Sequence, residues 1–159
     1  MDNNDILRRI RYMFDYTDKQ MGELATLGGY RLSPRGARAR MLREDEQGAI
    51  FCEDGILEAF LDGLILHLRG PNPGSAHALA RPPLTNNEVL KKMRIALKFR
   101  DEDMLKAMRD GGMTISKAEL TALFRVPTHR HHRQCGDQLL RKFLVGVTPM
   151  VQHRRRGQS

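Results

Sequence analysis

The densest group of reactive side chains is His129-Arg130-His131-His132-Arg133-Gln134-Cys135-Gly136-Asp137, with three imidazoles, a thiol and a carboxylate inside nine residues. Such a set could hold zinc or a softer transition metal. Arg125, Arg130 and Arg133 would repel a cation there, and no second ligand cluster completes a recognised spacing. The expectation is no metal and no cofactor. Cys52-Glu53-Asp54 and Cys135-Gly136-Asp137 repeat one arrangement 83 residues apart. A cysteine just before a helix start can ionise easily and act as a nucleophile or redox sensor. Buried cysteine beside a capping aspartate is the plainer reading, and its occurrence at two equivalent places favours a structural role. A disulfide between them is disfavoured in a reducing setting. No phosphate-cradling loop, dinucleotide glycine fingerprint or nucleophile elbow occurs, so the chain is not expected to be an enzyme.

Charge is the other resource. The 159 residues carry 27 Lys+Arg against 19 Asp+Glu, a net +8, which makes polyanions plausible partners. Residues 1–70 hold 10 basic and 12 acidic side chains, whereas residues 85–148 hold 13 and 7. Within the first part, Arg31, Arg35, Arg38, Arg40 and Arg43 occur with no acid between them. Glu44-Asp45-Glu46, Glu53-Asp54, Glu58 and Asp62 then follow with no base. One reading is a solvated helix neutralised by the acidic segment after it. The sharper reading offers Arg35, Arg38, Arg40 and Arg43 to phosphates. In the second part Lys117, Arg125, Arg130, Arg133, Arg141 and Lys142, with Arg154 to Arg156, could form a basic face that displaces counterions from a nucleic-acid backbone.

These side chains must be positioned by elements, and the elements come in duplicate. Shifted by 83 positions, residues 3–64 lie over 86–147 without a gap, with 16 of 62 positions identical. Asn3-Asn4-Asp5-Ile6-Leu7 meets Asn86-Asn87-Glu88-Val89-Leu90, and Gly28-Gly29 meets Gly111-Gly112. Further on, Phe60-Leu61 and Gly63 meet Phe143-Leu144 and Gly146.

Each copy reads as four helices. Ile6, Leu7, Ile10, Met13 and Phe14, mirrored by Val89, Leu90, Met93, Ala96 and Leu97, follow helical spacing in the first. Asn3 or Asn4, and Asn86 or Asn87, are expected as its N-caps. Thr17 to Gln20 is a capping-box pattern opening the second helix, which Gly28-Gly29 should stop. Ser33 with Pro34, and Ser116 with Glu119, open the third. The fourth carries Ile56, Leu57, Phe60, Leu61 and Leu64, or Leu139, Leu140, Phe143, Leu144 and Val147, with Asp54 and Asp137 as expected caps.

The second and third helices have the outline of a helix-turn-helix. Arg35 and Arg38 nevertheless fall where its recognition helix needs apolar residues, Met108 takes the small-residue position of the second copy, and the connection is about two residues longer than the compact form. No strand-like alternation occurs. The fold class is therefore all-α: two tandem four-helix repeats packed together in pseudo-two-fold fashion, since about 62 residues are marginal alone. The expected divisions are a first repeat at 1–70, a Pro/Gly-rich linker at 71–84, a second repeat at 85–148 and a frayed basic tail at 149–159.

The run Asn86-Asn87-Glu88-Val89-Leu90-Lys91-Lys92-Met93-Arg94, the stretch Cys135-Gly136-Asp137-Gln138-Leu139-Leu140-Arg141, and Phe60-Leu61-Asp62-Gly63-Leu64-Ile65 resemble the YehS family of small bacterial proteins. The resemblance spans nearly the whole chain except the linker and the last dozen residues. It implies a duplicated domain and no particular activity. His129 follows the family's pattern, whereas His131 and His132 are particular to this chain.

With 40% hydrophobic and 29% charged residues the chain is not expected to be a membrane protein, and its first residues lack the basic-then-apolar plan expected of a secretory signal. Aromatics at 6% leave little for a broad base-stacking platform. The expectation is a cytoplasmic, regulatory nucleic-acid-binding protein, with duplex DNA as partner. Its contacts would be Arg35, Arg38, Arg40, Arg43, Lys117, Arg125, Arg130 and Arg133. The alternative is a protein-interaction or oligomerisation module, with a homodimer left open.

Overall fold

The first helix of each copy packs chiefly against the last helix of the other. This computed structural model describes residues 1–71 and 84–157; most of the expected linker thus lies outside the described residues. The first copy folds as α1 (Asn3–Phe14), α2 (Asp18–Leu27), α3 (Pro34–Ala39) and α4 (Asp54–Arg69). The second follows as α5 (Asn86–Leu97), α6 (Asp101–Asp110), α7 (Lys117–Leu123) and α8 (Asp137–Gly157). No strand occurs among the described residues, and the protein is all-α. α2 packs on α4 and α6 on α8 within the copies, while α1 lies on α8 and α5 on α4 between them. The periodic apolar residues of all four long helices are buried in one continuous core. Burying each such side chain contributes about 1.5–3 kcal/mol.

The expected asparagine caps are replaced by their neighbours. Asp2 caps α1, accepting from the Asp5 N–H at 2.8 Å, and Thr85 caps α5, accepting from the Glu88 N–H at 3.2 Å. Asp54 and Asp137 likewise stand inside the first turns of α4 and α8 and do not cap them; Glu53 is the N-cap of α4. The Thr17–Gln20 and Ser116–Glu119 capping boxes form as the sequence predicts. The expected tail is also different. α8 continues through Pro149 to Gly157, and Arg154 donates to the Leu97 carbonyl at 3.0 Å while lying over the Phe99 ring.

Gly29 and Gly112 end their helices in the left-handed region, at φ 111° and 104°. Gly28 and Gly111 are needed for a different reason. A Cβ on Gly28 would sit 1.6 Å from the Ala59 carbonyl oxygen, and one on Gly63 would sit 1.7 Å from that of Leu24. Gly111 and Gly146 repeat this close crossing against Lys142 and Ala107. Glycine lets the two helix backbones touch, and both copies depend on it.

Candidate nucleic-acid interface

The duplicated asparagines tie each first helix to the loop before the last helix of its own copy. Asn4 Nδ2 donates to the carbonyls of Leu42 (3.1 Å) and Ile50 (2.9 Å), and its Oδ1 accepts from the Cys52 N–H at 2.7 Å. Asn87 does the same to Leu123, Arg133 and Cys135. Asn3 reaches the Cys52 carbonyl and Asp54, and Asn86 reaches the Cys135 carbonyl and Asp137. Each aspartate then receives the opening residue of the other copy. The Leu84 N–H donates to Asp54 at 3.1 Å, and the Met1 ammonium to Asp137 at 3.3 Å. The Asn86 amide and the Met1 ammonium hold the Asp137 carboxyl below the usual carboxylate range.

This clasp explains the cysteines. Both are buried free thiols held by backbone bonds. Burial pushes Cys52 up to about 12 and Cys135 up to about 11, so both stay protonated at neutral pH. The histidine loop satisfies itself. His129 Nδ1 accepts from the His131 N–H at 3.0 Å, and His132 Nδ1 lies 2.9 Å from the Arg125 carbonyl. Among the described residues, no group of three or more His, Cys, Asp or Glu side chains is placed to hold a metal.

The eight expected phosphate contacts do not behave alike. Arg35 and Arg38 are exposed on α3, and neither forms an ion pair among the described residues. Arg40 turns back on its own helix, donating to the Gly36 carbonyl at 3.0 Å. Lys117 is exposed at the start of α7. Arg125 is half-buried, and Arg130 donates to His131 at 3.0 Å. Arg133 is already paired with Glu119. The Glu119 carboxyl is held below its usual range, first by the Ser116 backbone N–H and then by Arg133.

Arg43 stands at the edge of a groove of about 670 Å³ between α1 and α8, which also gathers Arg8, Arg9 and Arg141. Arg8 is committed to Asp5 and to the Met41 carbonyl. The Arg9 and Arg43 side chains have no carboxylate partner among the described residues, although the Arg43 backbone N–H donates to Glu46 at 3.2 Å. The Arg141 side chain donates to Gln138 at 3.2 Å and lies within electrostatic reach of Asp137. Sequence reasoning assigned Arg43, placed Arg141 on a basic face and missed Arg8 and Arg9. The connection 28–33 and the six-residue α3 are respectively longer and shorter than in a compact helix-turn-helix, whose turn has about 3–4 residues.

A family of proteins of unknown function, DUF1456, matches residues 3–70 and again 86–157. The chain belongs to this family. Its second match runs past the expected end of the repeat to the C-terminal end of α8, in keeping with the helical form of that segment. The chain is also similar to the uncharacterized protein YehS of Escherichia coli (strain K12), with 35% identity over 157 residues, covering 99% of this chain and 100% of the relative. No solved structure matches the chain. Among the described residues, no helix is long and apolar enough to cross a membrane.

Proposed function

We propose that the protein is a non-enzymatic, regulatory nucleic-acid-binding protein of the cytoplasm, with duplex DNA as its ligand. The observation that carries this reading is the set of exposed cations with no carboxylate partner among the described residues: Arg35 and Arg38 on α3, and Lys117 and Arg130 in the second copy. A net charge of +8, with these four side chains outside the chain's ion pairs, attracts a phosphate backbone and releases its counterions. Arg40 and Arg133, already engaged within the chain, contribute less. The test is titration of labelled duplex DNA at several salt concentrations. Binding should fall linearly on logarithmic axes, and replacing Arg35, Arg38, Lys117 and Arg130 by alanine should flatten the slope by about 0.9 for each phosphate no longer neutralised. No binding at low salt, or an unchanged slope, overturns the assignment.

A second reading rests on Ile50 and Phe51, the latter 63% exposed, where the second copy has Arg133 and Gln134. Adjacent exposed apolar side chains of this kind suit a protein partner or a second copy of the chain. Under that reading Phe51→Ser converts a dimer or complex into an 18.2 kDa species in light scattering. A wild-type chain that is already monomeric and recovers no partner removes it.

A further inference from the structure

The pseudo-two-fold gives the α1/α8 groove a counterpart between α5 and α4, and the two are chemically opposite. At the counterpart, Lys92 of α5 reaches Asp62 of α4 at 2.5 Å, with both side chains at or below 10% exposure. The 83-residue offset places Arg9 at the position of Lys92 and Val145 at that of Asp62. It also places Arg141 where the first copy has Glu58. The closed side therefore carries acids at 58 and 62, and the open side carries an arginine and a valine. Arg9, Arg43 and Arg141 are left facing one concavity that lacks a counterpart of the Asp62 carboxylate paired with Lys92.

The groove is not uniformly cationic. Asp5 lines it, already paired with Arg8, and Asp2, Glu44 and Asp45 border the adjoining depression beside Arg43. Asp137, bound to the Met1 ammonium, lies within electrostatic reach of Arg141, so an anion is favoured toward Arg9 and the Arg141 guanidinium on the side away from Asp2, Glu44 and Asp45. Beside these arginines stand Tyr12, 70% exposed, and the apolar Val145 and Pro149. A volume of about 670 Å³ matches a small-molecule site, and an exposed ring next to arginines suits a flat heterocycle joined to a phosphate.

We propose that the α1/α8 groove binds a phosphorylated nucleoside unit, its phosphate held by Arg9 and Arg141 and its base stacked on Tyr12. The unit is either a free nucleotide or the phosphorylated end of a single strand. This site shares no residue with the proposed duplex contacts Arg35, Arg38, Lys117 and Arg130.

The test is calorimetric titration of the full chain at low salt with adenosine 5′-monophosphate, adenosine, inorganic phosphate and a 5′-phosphorylated single-stranded oligonucleotide. The expected order is nucleotide or phosphorylated oligonucleotide tightest, then phosphate, then adenosine. Val145→Asp installs opposite Arg9 the carboxylate that Asp62 offers Lys92, and should weaken the phosphorylated ligand at least about tenfold. Tyr12→Ala should weaken it by about tenfold and leave inorganic phosphate unchanged. Arg141→Gln is the conservative second variant, and its thermal melt should match that of the wild type. Binding of the oligonucleotide without the mononucleotide identifies a strand end as the source; the reverse identifies a free nucleotide. No binding of either, or binding that Val145→Asp and Arg141→Gln leave intact, overturns the proposal. Duplex affinity should survive Val145→Asp, so failure of the duplex surface and failure of this groove read out separately.

Discussion

The α4/α5 and α1/α8 contacts are built from the same backbone plan, yet one is sealed by a buried ion pair and the other is left open. Both copies keep the glycine crossing, the asparagine clasp and the aspartate that receives the opening residue of the other copy. The copies differ at matched positions around these contacts: Asp62 against Val145, Glu58 against Arg141, Ile95 against Tyr12. After a duplication, the positions that hold the two helix pairs together are constrained twice. Those that line the outer grooves have diverged, one keeping the buried Lys92–Asp62 pair and the other not.

The shared part of the plan breaks hardest. Gly63→Ala or Gly146→Ala drives a methyl into a carbonyl oxygen, and each should cost about 3 kcal/mol or more. Thermal denaturation followed by circular dichroism measures this, and equal losses in the two copies would confirm that the crossing is common to both. The unshared part gives the sharpest contrast. Asp62→Ala strands the buried Lys92 and should cost about 3 kcal/mol, whereas Arg9→Ala should stay within about 0.5 kcal/mol. Similar losses at the two sites in a urea titration would abolish the distinction between sealed and open grooves.

Smaller effects sharpen it further. Asn4→Ala leaves two carbonyls and the Cys52 N–H without their partner and should cost about 2 kcal/mol, with Asn87→Ala slightly less because Asn87 is less buried. The thiols add a pH limb. Their raised values mean that the folded chain favours the neutral form. Their contribution is whole below the ordinary thiol range and is lost as pH rises through about 11 for Cys135 and about 12 for Cys52. Iodoacetamide at pH 8 should therefore leave the native chain unmodified while labelling it fully in denaturant. Least of all, Asp15→Gly and Lys98→Gly relieve left-handed residues at φ 55° and 56°, and each should raise stability by up to about 1 kcal/mol in the same melts.

Helical periodicity, the capping boxes at Thr17 and Ser116, the Ser33 cap and the duplication itself are written locally in the chain, and the structure follows them. What sequence reading placed wrongly depends on distant partners. An asparagine at the start of a helix has the same local pattern whether it caps that helix or, like Asn4, reaches a carbonyl 46 residues away. His153 to Arg156 look like a solvated tail until Leu97 and Phe99 supply a surface for Arg154. The arginines of α3 were legible as a charge run, but not that Arg40 would fold back on Gly36. The groove was present in the register of the two copies. The change from Glu58 and Asp62 to Arg141 and Val145 removes two acids from one helix face, and Arg9 stands in the partner helix at the position of the paired Lys92.

The exchange of first and last helices between the copies has a consequence for synthesis. α1 is made early, but the helix it docks on is complete only after about 140 further residues, on the order of 10 s at typical elongation rates. Through that interval the face of α1 that meets α8 lacks its final cover, and α5 can meet α4 before α1 meets α8. The nascent chain therefore closes the contact containing Lys92 and Asp62 first, and the arginine-lined groove is completed only as α8 emerges.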